Sequence, residues 1–248
     1  MVQAPQRTAV SGPTLIRLLA RLTAVDAPAS SQSLSDQLSQ WLGWTDAIAL
    51  SSALNGSPPA GACAARASTG SAESECARLR ASLAQAIAGD SAFATARRRG
   101  KAPAPAQDAP QGPDVDYADF RQRYLALQQT METRIGNLRG RLRAMLAARA
   151  PGMTRLAVVD AIMERALGAR ERNLLGAVPG LLGAHFERLR AAGQHAPDDG
   201  QTAAAQTAAA GPSAWLDAFR KDMQSVLLAE LEIRFQPVEG LLAALRSS

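Results

Sequence analysis

The feature that most constrains this chain is an apolar stripe that repeats at helical spacing through its centre. Between Phe120 and Met145 the apolar positions recur at steps of three or four residues. That spacing places them on one face of a single long α-helix, and such a face packs side by side against other helices. The stripe therefore predicts a helical bundle. Its residues are Phe120, Tyr124, Leu127, Met131, Ile135, Leu138, Leu142 and Met145.

A second helix should fold back on this one. Pro151 and Gly152 interrupt the pattern, and Thr154 can cap a new helix whose own stripe runs from Leu156 to Leu174. Because the connection between the two stripes is short, we expect a central antiparallel helical hairpin.

Arginine dominates the charge of the same block. The segment 120–190 holds thirteen arginines, no lysine and five acidic residues. Asp160, Glu164 and Glu171 should line one flank of the second helix. They can pair across the hairpin with Arg143, Arg141 or Arg134. Even if all five acidic residues of the block are paired, more than half of its arginines remain. Those that remain are candidates to bind an external acidic partner, with a solvated helix face as the alternative. Together with two aromatic residues near the C-terminus, the candidate interaction surface is Arg121, Arg123, Arg134, Arg139, Arg141, Arg143, Arg149, Trp215 and Phe219.

The face of the helix opposite the stripe carries small or neutral residues, including Gly136 and Gly140. Glycine inside an exposed helix costs roughly 1 kcal/mol relative to alanine. Two glycines at four-residue spacing therefore predict the close approach of a second backbone, with sequence drift as the alternative.

Helical patterns also occupy the N-terminal unit. Pro13 suits the first turn of one helix, Ser33 with Asp36 forms a start that resembles a capping box, and Thr45 can cap a third helix. The unit is predicted to contain three short helices.

The C-terminal unit has an apolar stripe from Trp215 to Leu231, and Pro237 is expected to divide it from a last short helix. Trp215 and Phe219 are large apolar side chains that favour burial. We expect this unit to dock within the chain, with docking on another molecule as the alternative.

Three stretches rich in alanine, proline and glycine separate these patterns and are expected to be disordered linkers. The fold class is therefore all-α, a helical bundle joined by such linkers. The first expected unit is an N-terminal helical unit at 11–54. A mostly disordered linker follows at 55–116 and includes a weak helix near 75–88. The basic hairpin and a following helix occupy 117–190, a disordered loop occupies 191–212, and C-terminal helices occupy 213–248.

Residues for catalysis or metal binding are scarce. Cys63 and Cys76 have no CxxC spacing and are expected to be free thiols. His185 lies on an apolar helix face and should be a hydrogen-bonded core residue, while His195 completes no metal spacing. Neither a nucleophilic triad nor a phosphate-binding loop is apparent. We expect no enzyme activity, no cofactor and no metal.

Two observations bear on location. Arg17 and Arg21 interrupt the apolar N-terminal segment, which therefore does not resemble an export signal. No uncharged apolar window reaches the length of a membrane-spanning helix. A cytoplasmic protein is expected.

The run from Leu15 to Leu54, which includes RLLARLT and LSDQLSQWLGWTDAIALSSAL, resembles the opening of an uncharacterised proteobacterial family of hypothetical proteins, a domain of unknown function. The resemblance extends through the 124–190 block and the WLDAF segment at Trp215. Members of that family are encoded beside envelope proteins similar to proton-channel motor subunits and peptidoglycan-binding proteins. The resemblance therefore implies a bacterial cytoplasmic accessory of an envelope complex, and it supplies no catalytic residues.

These observations favour a non-enzymatic protein-interaction or scaffold protein that binds an acidic or helical protein partner. Nucleic-acid binding through the same arginines is the alternative, since the net charge of +5 suits either ligand. Peripheral contact with an anionic membrane ranks third. The arginine-to-lysine ratio can also reflect a compositional bias of the coding sequence.

Overall fold

The computed structural model describes residues 13–24, 32–56, 69–93, 115–194 and 214–247. Throughout those ranges the regular secondary structure is helical, which confirms the all-α prediction. Most of the predicted disordered linker residues, together with Cys63 and His195, lie outside the described residues. The helices are α1 (Thr14–Thr23), α2 (Leu34–Trp41), α3 (Trp44–Asn55), α4 (Thr69–Ala88), α5 (Tyr117–Ala147), α6 (Pro151–Gly176), α7 (Val178–Gln194) and α8 (Ala214–Ser247).

Helix α8 forms the centre of the bundle and contacts α1, α4, α5 and α7. Its buried side chains are spread over its whole length, as expected for a helix enclosed by others. The prediction that this segment docks within the chain is confirmed. The prediction that Pro237 divides it is wrong, because α8 is continuous through that residue. A proline inside a helix costs roughly 3 kcal/mol, and burial of neighbours such as Phe235, Val238 and Leu241 offsets that cost.

Helix α5 lies beside α8 and runs in the same direction. The Phe120 ring packs edge-on against Phe219, with 5.3 Å between ring centroids. One turn further along α5, Tyr124 hydrogen-bonds Glu230, which lies further along α8. The apolar stripe predicted for α5 is buried as expected, except that Met145 is half-buried.

Helix α6 folds back along α5, which confirms the antiparallel hairpin. Arg139 near the end of α5 bonds Asp160 near the start of α6. Glu132, earlier in α5, meets Arg172, later in α6, at 3.4 Å. The order of the two pairs along each helix shows that α5 and α6 run in opposite directions.

Helix α4 runs antiparallel to both α5 and α8. Near its end, the Ile87 carbonyl accepts a hydrogen bond from Gln224 at 3.4 Å, and near its start Glu73 pairs with Arg246 at 2.5 Å. The sequence predicted only a weak helix near 75–88. The structure has a helix of 20 residues that buries Ala72, Cys76, Leu79, Leu83 and Ile87 against the bundle.

Helices α1 and α7 cover the first half of α8. An aromatic cluster holds α7 there, with the Phe186 ring 4.9 Å from Phe219 and 5.3 Å from Trp215. The guanidinium of Arg188 donates to the Leu22 carbonyl and so ties α7 to α1.

Helices α2 and α3 stand apart from this core. The capping pattern predicted at Ser33 is present, since its hydroxyl accepts from the Asp36 backbone N–H at 3.1 Å. Helix α3 packs on α6, and neither α2 nor α3 contains a fully buried residue. The two helices are therefore attached to the bundle from one side.

The glycines of α5 do not meet a second backbone, so that prediction is wrong. A Cβ placed at Gly136 would find no atom within 4 Å, and one at Gly140 would meet only the Arg143 guanidinium at 3.9 Å. In α7, by contrast, a Cβ at Gly183 would lie 2.8 Å from the Tyr117 ring. Close packing against a glycine therefore occurs on α7, where the neighbour is the Tyr117 side chain and not a backbone.

We expect Gly136→Ala to raise the free energy of unfolding by roughly 1 kcal/mol, because alanine favours the helix and fills open space. Gly183→Ala should lower the same quantity, because the Tyr117 ring would have to move and its hydroxyl bonds the Pro179 carbonyl. Urea unfolding of both variants and the parent protein measures the two changes. Destabilisation by Gly136→Ala would show that this face is packed.

Candidate functional site

Two of the predicted surface arginines belong to an ion network inside the hairpin. Arg139 donates two hydrogen bonds to the Asp160 carboxylate, at 2.6 and 2.8 Å. Arg143 reaches the same carboxylate at 3.2 Å and also bonds Glu164. The pairing of Arg143 with acidic residues of α6 is as predicted. Both guanidiniums are largely buried, and their charge is neutralised within the chain.

The arginines on the other flank of α5 face α4. Arg123 pairs with Asp90 and Arg141 with Glu75, while Arg134 bonds the Ser82 hydroxyl at 3.3 Å. Arg149 donates to the Thr69 hydroxyl. Pairing of Arg134 and Arg141 with the acidic residues of α6 does not occur, because both arginines lie on the flank of α5 that turns away from α6.

A third set of arginines, on α6, holds the N-terminal helices. Arg165 meets Asp46 at 3.5 Å, and Arg155 donates to the Gly56 carbonyl at 3.2 Å. The guanidinium of Arg170 lies 4.5 Å from the centre of the Trp41 ring, a cation–π contact. Much of the arginine surplus thus connects elements of the same chain.

The remaining members of the predicted surface differ in exposure. Arg121 is exposed at the start of α5. Trp215 is half-buried against Phe186, and Phe219 is 0% exposed. Phe219 is therefore a core residue and not part of a surface, because α5 and α7 close over it.

A buried polar network at the α5–α8 contact was not predicted. Glu230 is 0% exposed. Its carboxylate accepts from the Tyr124 hydroxyl at 2.8 Å, from Gln128 at 3.0 Å and from Arg234 Nε at 2.9 Å. Gln128 also donates to the Leu175 carbonyl at 3.1 Å, which links α6 to the network. The sequence signal was available, since Glu230 and Arg234 are one helical turn apart within an apolar stripe.

Next to this network a polar cleft opens between α5, α6 and α8, with a volume of about 520 Å³. Gly136 and Gly168 leave space in its walls, and Pro237 lines it from α8. Its charged lining residues are Glu132, Arg139, Glu164, Glu171, Arg172 and Arg234. We refer to this feature as the three-helix cleft.

The second open feature is an apolar face on α2 and α3. Trp44 is 81% exposed and Ile48, one turn further along α3, is 51% exposed. Leu34 at the start of α2 and Leu54 near the end of α3 are also exposed. We call these four residues the α2–α3 apolar face.

The histidine and cysteine side chains of the described ranges have structural settings. His185 Nε2 lies 2.9 Å from Asp222 Oδ2 and the ring packs near Phe219, as expected for a hydrogen-bonded core histidine. Cys76 is a free, buried thiol, and burial raises its pKa. In the part of the chain that the structure describes, no group of three acidic, histidine or cysteine side chains is placed to hold a metal ion. None of the helices there has the length and apolar character needed to cross a bilayer.

The fold and these surfaces define an all-helical bundle whose charged side chains bond mainly to one another. The chain belongs to the family described as Protein of unknown function (DUF3348), whose model matches residues 1–247. The resemblance inferred from the N-terminal sequence is thereby confirmed as membership in an uncharacterised family. No significant similarity was found to a curated protein or to a solved structure.

Replacement of Glu230 tests the buried network. Glu230→Ala should lower the free energy of unfolding by about 3–5 kcal/mol, because Arg234 would remain buried without its partner. Glu232→Ala is the matched control, since Glu232 lies in the same helix but pairs with Arg80 at the surface. Its cost should stay below about 1 kcal/mol. Equal losses in urea unfolding would contradict a special role for Glu230.

The two tyrosines should make the fold sensitive to alkali. Burial raises the pKa of Tyr117 to about 12, with Arg121 acting in the opposite direction. Burial and the Glu230 carboxylate raise the pKa of Tyr124 further. The folded chain therefore keeps protons that the unfolded chain loses above its ordinary tyrosine pKa of 10.0, so stability is complete below pH 10 and falls as pH rises towards 12.

Tyrosinate absorbance and helical circular dichroism, followed together through an alkaline titration, measure this dependence. We expect tyrosinate to form mainly as helix is lost. Ionisation of both tyrosines at their ordinary pKa with full helicity retained would show that neither phenol is shielded.

Proposed function

We propose that this chain is a non-enzymatic protein-interaction or scaffold protein, and that the α2–α3 apolar face binds a helical protein partner. The observation that carries the proposal is the 81% exposure of Trp44 in a helix pair that buries none of its own residues fully. Trp44 and Ile48 are neighbours on one face of α3, and an exposed apolar patch is characteristic of a binding surface. Tryptophan is also enriched among the residues that dominate binding energy.

The geometry of α3 supports a helical partner. Its half-buried side chains, Asp46, Ala49, Leu50 and Ala53, recur at the spacing of one helix face and are available to α6. Trp44 and Ile48 lie on a different face, one turn apart, as anchors for a second helix would. Helix α3 would then be packed between α6 and the partner.

The arginines support a structural role within the chain. Their bonds to carboxylates, hydroxyls and carbonyls of the same chain support a scaffold function, because they hold α4, α6 and the N-terminal helices in place. We do not propose nucleic-acid binding, since most of the arginines on which it depended, with Arg121 as an exception, bond to groups of the same chain. The family resemblance makes a cytoplasmic site beside an envelope complex the setting that we propose for the partner.

Site-specific photo-cross-linking in the native host tests this function. A photoreactive amino acid at position 44 or 48 of the full chain should give an adduct with the same protein. Mass spectrometry identifies the protein in the adduct, and cell fractionation shows where the adduct is located. Position 181 is the matched control, because Leu181 is 40% exposed but lies on α7. The Ile48→Asp change should abolish the adduct formed from position 44.

Two results would contradict the proposal. One is an adduct pattern from position 181 identical to that from position 44, which would indicate nonspecific contact. The other is an adduct from position 44 that forms at full yield in the Ile48→Asp variant. Circular dichroism serves as the control that this variant has the same helicity as the parent protein.

A further inference from the structure

The three-helix cleft lies on the opposite side of α6 from the N-terminal helices, and the proposed function does not use it. Its volume of about 520 Å³ falls within the range of small-molecule sites, roughly 300–1,000 Å³. Gly136 contributes open space, since no atom lies within 4 Å of the position its Cβ would take. The cleft is therefore large enough for a small ligand and has room at its α5 wall.

Opposite charges face each other in the cleft at three places, each longer than a usual guanidinium–carboxylate hydrogen bond. Arg139 lies 3.6 Å from Glu164, and Arg172 lies 3.4 Å from Glu132. Arg234 lies 3.6 Å from Glu171. Hydrogen bonds between a guanidinium and a carboxylate are normally shorter, at about 2.7–2.9 Å. Arg139 and Glu164 are already bonded to Asp160 and Arg143. Glu132 and Glu171 instead meet Arg172 and Arg234 at these long distances, so these two pairs can open to a ligand.

One cation of the cleft is held in position by the buried network. Arg234 is 8% exposed, and two of its nitrogens bond Glu230 at 2.9 and 2.8 Å. Its remaining nitrogen, Nη1, faces Glu171, which is half-exposed. The guanidinium is therefore oriented before any ligand arrives, whereas Glu171 is free to turn towards one.

The balance of charge selects the class of ligand. Three guanidiniums and three carboxylates give the cleft lining no net charge, so it has no net attraction for a simple anion or a simple cation. An apolar ligand would bury these charged groups without bonding them, which is unfavourable. A zwitterion bonds both signs at once. We propose that the three-helix cleft binds a small zwitterionic molecule of the amino-acid or dipeptide class.

In this site the ligand carboxylate would bond Arg234 and Arg172, and the ligand ammonium would bond Glu171 and Glu132. Each ligand charge replaces the loose partner of a protein charge, so no buried charge is left unpaired. The ligand side chain would lie along Gly136, where α5 leaves space.

Binding by the full chain tests the proposal. The probes are the proteinogenic amino acids and glycylglycine, screened by thermal shift and measured by isothermal titration calorimetry, with acetate and methylammonium as singly charged controls. We expect at least one zwitterion to raise the melting temperature and to bind with a measurable Kd. The controls should produce no shift at the same concentration. Failure of every zwitterion to bind, or equal binding of acetate or methylammonium, would overturn the proposal.

Matched leucine variants locate the site. Gly136→Leu should fill the cleft and weaken zwitterion binding by about tenfold or more. Gly240→Leu is the control, since Gly240 is also a helical glycine with open space at its Cβ but does not line the cleft. Circular dichroism should show that both variants fold. Unchanged Kd in Gly136→Leu would place any binding elsewhere and overturn the assignment.

An Arg172→Gln/Glu132→Gln double variant removes one ion pair without changing net charge. Both side chains are largely exposed, so the fold should tolerate the change. Zwitterion affinity should fall by about tenfold. Wild-type affinity in this variant would show that the ion pairs do not bind the ligand.

Discussion

The rest of the bundle depends on the Glu230 carboxylate. A charge with no exposure is stable only when its oxygens are fully bonded, and the donors come from Tyr124 and Gln128 of α5 and from Arg234. Helices α5 and α8 could slide past each other by a turn and still bury apolar side chains. Such a slip would leave the carboxylate without the Tyr124 and Gln128 donors, so the network specifies one register of the two longest helices. The hydrogen bond from Gln128 to the Leu175 carbonyl extends that constraint to α6.

Arginine in this protein acts mainly as a connector between helices. The stems of Arg139 and Arg143 cross the hairpin interface, and their planar heads share the Asp160 carboxylate. On the other flank, Arg141 reaches the Glu75 carboxylate of α4, and Arg123 reaches Asp90 just beyond the end of α4. Pairs at the surface contribute little each, whereas the enclosed ones lose much if a partner is removed. Among the described residues, most arginines of the central block therefore bond to groups of the same chain.

Local periodicity predicted the helices, the hairpin and the Ser33 cap, because each depends on residues within a few positions of one another. The sequence predicted only a weak and shorter helix at α4, because the contacts that stabilise α4 are with residues distant in sequence. One example is the ion pair between Glu75 and Arg141 of α5. The effect of Pro237 was misjudged for a related reason, as tertiary burial of α8 outweighs a local penalty. The cleft depends on the distance between α6 and α8. The apolar pattern of one helix does not predict its distance from another helix.

Helix α6 both lines the three-helix cleft and carries α2 and α3. One side supplies Glu164, Glu171 and Arg172 to the three-helix cleft. The other side carries Arg165 and Arg170, which hold α3 and α2. The long ion pairs of the cleft and the one-sided attachment of α2 and α3 lie on opposite faces of that helix, so both surfaces depend on how α6 packs against α5.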